Sequence, residues 1–110
     1  MLIYLDNAAT TYPKPSFMSS SMINAMLMAG ANPGRSGHKL SVAAARLVYS
    51  AREELNKLLN GDDPLSFSFT LNCTAALNTA IKGLLKQGDH VVTTMYEHNS
   101  VLRPLEYLKD

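Results

Sequence analysis

The sequence predicts an α/β layered fold with a parallel or mixed sheet, and three observations predict it. Ser66 to Thr70, SFSFT, is a strand-like run; a helical pattern follows from about Thr74 to Lys86; and HVVTT at 90–94 is a second strand-like run. Strand, helix and strand in that order imply a right-handed βαβ crossover joining parallel strands. The composition, 46% apolar and 17% charged over 110 residues, is that of a globular chain of one modest domain.

The elements follow in order along the chain. Leu2 to Leu5 form a short apolar run closed by Asp6-Asn7, then small residues, Pro13 and Pro15, which read as an opening strand and a loop. Pro15 stands where the first turn of a helix tolerates proline. Beyond it Phe17, Met18, Met22, Ile23, Met26 and Leu27 recur at helical spacing up to Gly30. The stretch Gly30 to Lys39, GANPGRSGHK, is a loop, with three glycines and a proline.

A long helix comes next, with Ala44, Leu47, Val48, Ala51, Leu55, Leu58 and Leu59 on one face and Arg46, Arg52, Glu53 and Lys57 opposite. Asn60-Gly61 closes it. Gly88-Asp89 turns the chain into the second strand of the crossover. A last amphipathic helix, Val101 to Leu108, starts after Asn99-Ser100, with Pro104 near its first turn. Only three strands are evident and one is distant in sequence, so the sheet is expected to be incomplete.

Several function classes are disfavoured at this stage. The net charge of +1 with scattered basic residues leaves no electrostatic footprint for nucleic acid or an acidic membrane. Cys73 is the only cysteine, so it has no internal disulfide partner, and no Cys/His cluster has the spacing of a zinc site. A reducing, cytoplasmic setting is expected. The start lacks a secretory signal, and no apolar run approaches the roughly 20 residues that span a bilayer.

Chemistry is expected where strands end and helices begin, because open α/β sheets bind ligands at the carboxyl ends of their strands. At Leu71-Asn72-Cys73-Thr74 a helix start offers free N–H groups and partial positive charge to a phosphate, with the Thr74 hydroxyl as a further donor. The alternative is that Asn72 or Thr74 only caps the helix. Cys73 suits a tight phosphate turn as a small residue better than it suits a nucleophile. Neither GxxxxGK[ST] nor GxGxxG occurs, which disfavours a nucleotide loop.

Glu97-His98-Asn99 follows the second strand and is expected on the same sheet edge. His98 can stack on an aromatic cofactor or move a proton; equally, it can cap the next helix. The loop carrying Asn32, Arg35 and His38 can bind an anion, line a subunit contact or serve as a solvated connection.

Taken together, YLDNAATTYPKP, NPGRSGHKLS, FSFTLNCTAALNTAIKGLLKQGDHVVTT and EHNSVLRPL resemble the start of the class V aminotransferase family, cysteine desulfurase branch. The resemblance runs over nearly the whole chain and in the right order. It implies part of the large domain of a fold-type I enzyme that uses pyridoxal 5'-phosphate, a homodimer when complete. Such an enzyme releases sulfur from L-cysteine, giving alanine and an enzyme persulfide that a sulfur-acceptor protein can collect.

By the same resemblance Cys73 and Thr74 hold the cofactor phosphate, and His98 stacks on the pyridine ring. Ala8 and Ala9 lie near the substrate, as do Arg35 and His38. The phosphate turn departs from the commoner family form at Cys73, where relatives have threonine or alanine, and at Ala75, where they have glutamate. Residues 1–40 are expected to supply the N-terminal segment with the active-site loop, and residues 41–110 the start of the cofactor-binding domain.

The family's Schiff-base lysine and sulfur-acceptor cysteine match no residue here: Lys14, Lys39, Lys57, Lys82, Lys86 and Lys109 fall outside such a motif. The chain by itself is therefore expected to be a catalytically inactive N-terminal piece with no catalytic residue of its own. Other readings are an aminotransferase, a kynurenine-cleaving enzyme or a selenocysteine lyase on the same scaffold, and a non-catalytic binding or dimerisation module.

Overall fold

The computed structural model describes residues 3–109 and divides into two compact units, one ending at Phe67 and the other starting at Ser68. Among the described residues every regular element is helical.

In the first unit α1 runs from Ser16 to Ala29, entered from Pro15, and α2 from Lys39 to Leu58. The half-buried positions of α1 are Met18, Ala25 and Ala29, a narrow stripe of mostly small side chains. Of the six apolar residues at helical spacing only Met18 is half-buried; Phe17, Met22, Ile23, Met26 and Leu27 remain exposed. In α2 the stripe passes through buried Ser41 and Ala44 and half-buried Val48, Arg52 and Leu55. Leu47 and Ala51, read on the same apolar face, are exposed.

The end of α2 follows the expected Asn60-Gly61 stop in detail. Asn60 takes the left-handed conformation, with φ 51°, and its N–H donates to the Lys57 carbonyl at 3.3 Å. The Gly61 N–H reaches the Asn56 carbonyl at 2.8 Å, which completes a Schellman closure. A 3₁₀ turn, Pro64–Ser66, packs back on α2 and is capped by the Asp63 carboxylate, which accepts from the Leu65 N–H at 2.8 Å.

In the second unit α3 spans Cys73–Leu84 and α4 spans Asn99–Lys109, and the two pack together. The α4 stripe of Ser100, Val101, Pro104, Leu105 and Leu108 is buried or half-buried, as its spacing requires. This helix begins two residues before the expected Val101, so Pro104 lies inside it. Gly88, with φ 89°, turns the intervening loop as expected; the Asp89 carboxylate accepts from the Lys86 N–H at 2.8 Å. The Lys82 ammonium sits 5.4 Å from the centre of the Tyr107 ring, a cation–π contact across α3 and α4.

The expected α/β fold, a partial fold-type I large domain with a parallel or mixed sheet and a βαβ crossover, is corrected here. No strand occurs among the described residues; of the βαβ unit only its helix, α3, is present. Ser66 belongs to the 3₁₀ turn, and residues 67–70, 90–94 and 3–5 form no ladder, with Leu2 outside the described residues. The physical reason is that a strand is defined by its neighbour. β-Branched and aromatic composition favours a pleated, half-buried surface, but only hydrogen bonds to an adjacent strand and cover on the faces make one. Val92 is 84% exposed and Phe69 53%, so neither segment has that cover.

Candidate functional site

The second unit brings the expected phosphate turn and the expected ring-stacking histidine to two helix starts. Asn72 is the N-cap of α3, extended at φ −162°, with its side-chain oxygen accepting the Ala75 N–H at 2.8 Å and its carbonyl accepting the Ala76 N–H at 3.1 Å. Of the two cap candidates, Asn72 is the one that caps α3. The cap takes up the N–H groups of Ala75 and Ala76 and not those of Cys73 and Thr74. No acidic residue lies in the first turn, so the positive end of the helix is left unneutralised. Cys73 is exposed and unpaired.

His98 occupies the corresponding place at α4. Its carbonyl accepts the Val101 and Leu102 N–H groups at 2.8 and 3.2 Å. Its Nδ1 accepts the Ser100 N–H at 3.1 Å and lies 2.9 Å from the Ser100 hydroxyl. The ring of this exposed residue is thereby held through one nitrogen, Nδ1. Asn78, which the sequence reading did not single out, links the two starts: its Nδ2 donates to the Thr74 carbonyl at 3.0 Å and to the Ser100 carbonyl at 3.4 Å. Its place one turn after Thr74 was the available signal.

The remaining expected site residues lie in the first unit. Ala8 and Ala9 sit in a turn closed by the Asp6 carbonyl, which accepts from the Ala9 N–H at 3.2 Å and the Thr10 N–H at 3.3 Å. The Tyr4 hydroxyl braces this turn by donating to the Asp6 and Thr10 carbonyls. Arg35 is exposed in the loop before α2. His38 is the N-cap of α2, its Nδ1 accepting from the Ser41 N–H at 3.3 Å, and the Ser41 hydroxyl ties back to the Asn32 carbonyl at 2.8 Å.

Two grooves border these residues, Leu102 lining the first and Ser41 the second. One is lined by Leu85, Gly88, Val91, Leu102 and Leu105 in the second unit, the other by Pro33, Ser36, Val42 and Tyr49 in the first. Neither holds Cys73, Thr74 or His98. Among the described residues no group of three His, Cys, Asp or Glu can hold a metal ion, and no helix is long and apolar enough to cross a membrane.

With this geometry in view, the chain was compared with known proteins. The family model described as aminotransferase class-V matches residues 3–110. A cysteine desulfurase IscS of Buchnera aphidicola subsp. Schizaphis graminum is 38% identical over 97% of the chain and 28% of its own length. A probable cysteine desulfurase of Synechocystis is 36% identical over 94% of the chain and 25% of its own length. A cysteine desulfurase IscS of Vibrio vulnificus is 40% identical over 91% of the chain and 26% of its own length. The chain thus spans about a quarter of the length of these curated relatives. No solved structure matches.

Proposed function

We propose that this chain, which belongs to the aminotransferase class-V family, supplies part of the cofactor site of a cysteine desulfurase that uses pyridoxal 5'-phosphate. The observation that carries the reading is the match over residues 3–110, with relatives named cysteine desulfurase, on a unit whose two helix starts carry Thr74 and His98.

The donor set fits the cofactor. A phosphate needs N–H donors and a positive end of a helix, and the start of α3 offers both at Cys73 and Thr74, whose N–H groups the Asn72 cap does not take up. The backbone N–H groups of Cys73 and Thr74, with the Thr74 hydroxyl, would hold the phosphate. An aromatic ring needs a flat partner, and the imidazole of His98, exposed and fixed through Nδ1, would supply one. Ala8, Ala9, Arg35 and His38 would lie toward the substrate, Arg35 as the partner of its carboxylate. When bound, pyridoxal phosphate supplies an electron-withdrawing ring that stabilises negative charge on the substrate carbon.

The overall reaction breaks the carbon–sulfur bond of L-cysteine and joins its sulfur to an enzyme thiol, so cysteine and thiol give alanine and persulfide with no external oxidant. Homodimer formation, sulfur delivery to an acceptor protein and a cytoplasmic setting belong to the same proposal. The exposed single thiol of Cys73 accords with a reducing compartment.

The test is a graft. Residues 3–109 replace the matched segment of the Buchnera cysteine desulfurase, and alanine and persulfide are assayed from L-cysteine. Retained turnover is the expected result. A soluble, folded graft that binds pyridoxal phosphate and forms no alanine would overturn the reading.

A further inference from the structure

We infer that Asn78 is a positioning residue that sets the His98-bearing helix start against the phosphate-binding one, and this rests on the site proposed above. Pro104 lies inside α4, and proline has no N–H, so the carbonyl four residues earlier, that of Ser100, is left without its helical donor. Ser100 is only 7% exposed and Pro104 is buried, so water has little access to that carbonyl.

Asn78 is the substitute donor. It is half-buried on α3, and its Nδ2 lies 3.4 Å from the Ser100 carbonyl and 3.0 Å from that of Thr74. An amide nitrogen carries two hydrogens and both neighbours can only accept, so the orientation of the amide follows from the chemistry. Ser100 in turn holds the His98 ring through its N–H and hydroxyl. A single side chain therefore connects Thr74 to the residue that orients His98. Proline inside α4 costs the helix one bond, and the freed carbonyl becomes the attachment point for the neighbouring helix.

Asn78→Asp is nearly isosteric but cannot donate when ionised, so it breaks both contacts. Pro104→Ala returns an N–H to the Ser100 carbonyl and makes Asn78 partly redundant. In the 110-residue chain, Asn78→Asp is expected to move the His98 imidazole nitrogen resonances and lower the melting midpoint. Both effects should be roughly halved in the Pro104→Ala background, as expected for contacting residues that share a partner.

Unmoved His98 resonances, or equal effects in the two backgrounds, would overturn the inference. Should Asn78→Asp alone fail to fold, the double variant measured against Pro104→Ala gives the His98 readout. The unaltered graft described above, tested for retained pyridoxal phosphate, reports on the functional reading alone, so the two can fail separately.

Discussion

The Nδ1 of His98 accepts the backbone N–H of Ser100 at 3.1 Å, and so the imidazole that the sequence offered either as a ring partner or as a helix cap is built as a cap. The two roles are compatible because a cap uses one ring nitrogen and stacking uses the faces. They are also separable. Asparagine caps well and has no aromatic face, whereas alanine does neither. His98→Asn is expected to keep the thermal stability of the chain, and His98→Ala to lose about 1 kcal/mol, typical of a lost N-cap. Both are expected to weaken cofactor retention in the grafted desulfurase. Calorimetry and cofactor absorbance check the pair, and His98→Asn retaining the cofactor at full strength would remove the ring from the site.

An Nδ1 that accepts a backbone N–H places the proton of the neutral ring on Nε2. His38 and His98 share this arrangement, through Ser41 and Ser100. Long-range nitrogen–proton correlation spectra of the neutral rings are expected to report the Nε2–H tautomer for both. An Nδ1–H pattern at either would mean that its cap is not formed.

Asn72 is expected to carry the start of α3. Asn72→Ala should cost about 1 kcal/mol, within the usual range for an N-cap. Asn72→Asp should preserve stability, since a carboxylate caps a helix and complements its dipole. The same charge would oppose a phosphate at Cys73 and Thr74, so cofactor retention in the graft should fall while melting is unchanged. Parallel loss of both would point to a structural effect alone.

Asn60 holds a left-handed conformation that glycine adopts without strain and alanine does not. Asn60→Gly should be neutral or slightly stabilising, and Asn60→Ala should destabilise by about 1 kcal/mol. Denaturant midpoints of the two variants give the comparison, and the reverse order would contradict the Schellman closure of α2.

Lys57 on α2 is raised above its ordinary value of 10.5, first by the hydrogen bond to Glu54 and then by that carboxylate's charge. The sign follows from linkage: a raised lysine stabilises fully below its unfolded value and loses that contribution as pH climbs through the folded one. The pair is exposed on both sides, 71% and 74%, so the stability at stake is small and sensitive to salt. An NMR titration should find the Lys57 midpoint above 10.5 and Glu54→Gln should return it toward that value. A midpoint indifferent to Glu54→Gln would show the ion pair to be unformed in solution.

What was legible in the sequence was local. Asn60-Gly61 as a stop, Gly88-Asp89 as a turn and α3 as a helix depend on backbone chemistry within a few residues, and all three appear. The stretch carrying Cys73, Thr74 and His98 could be read because helix starts and their caps are local too. Faces and pairings were not legible in the same way. Spacing marked Phe17, Met18, Met22, Ile23, Met26 and Leu27 as the apolar positions of α1, yet of these only Met18 is half-buried, with Ala25 and Ala29, because periodicity finds apolar positions and not which of them a neighbouring helix covers.

By itself, then, the sequence determined the stop of α2 at Asn60-Gly61 and the start of α3 to within a residue, because capping and turn chemistry act over three or four neighbours. Tertiary structure alone decided that residues 67–70 and 90–94 form no ladder, since a ladder needs a partner strand that no local run specifies. It also decided that the Asn78 amide reaches the carbonyl freed by Pro104, a contact across 22 residues that exists only when α3 and α4 pack.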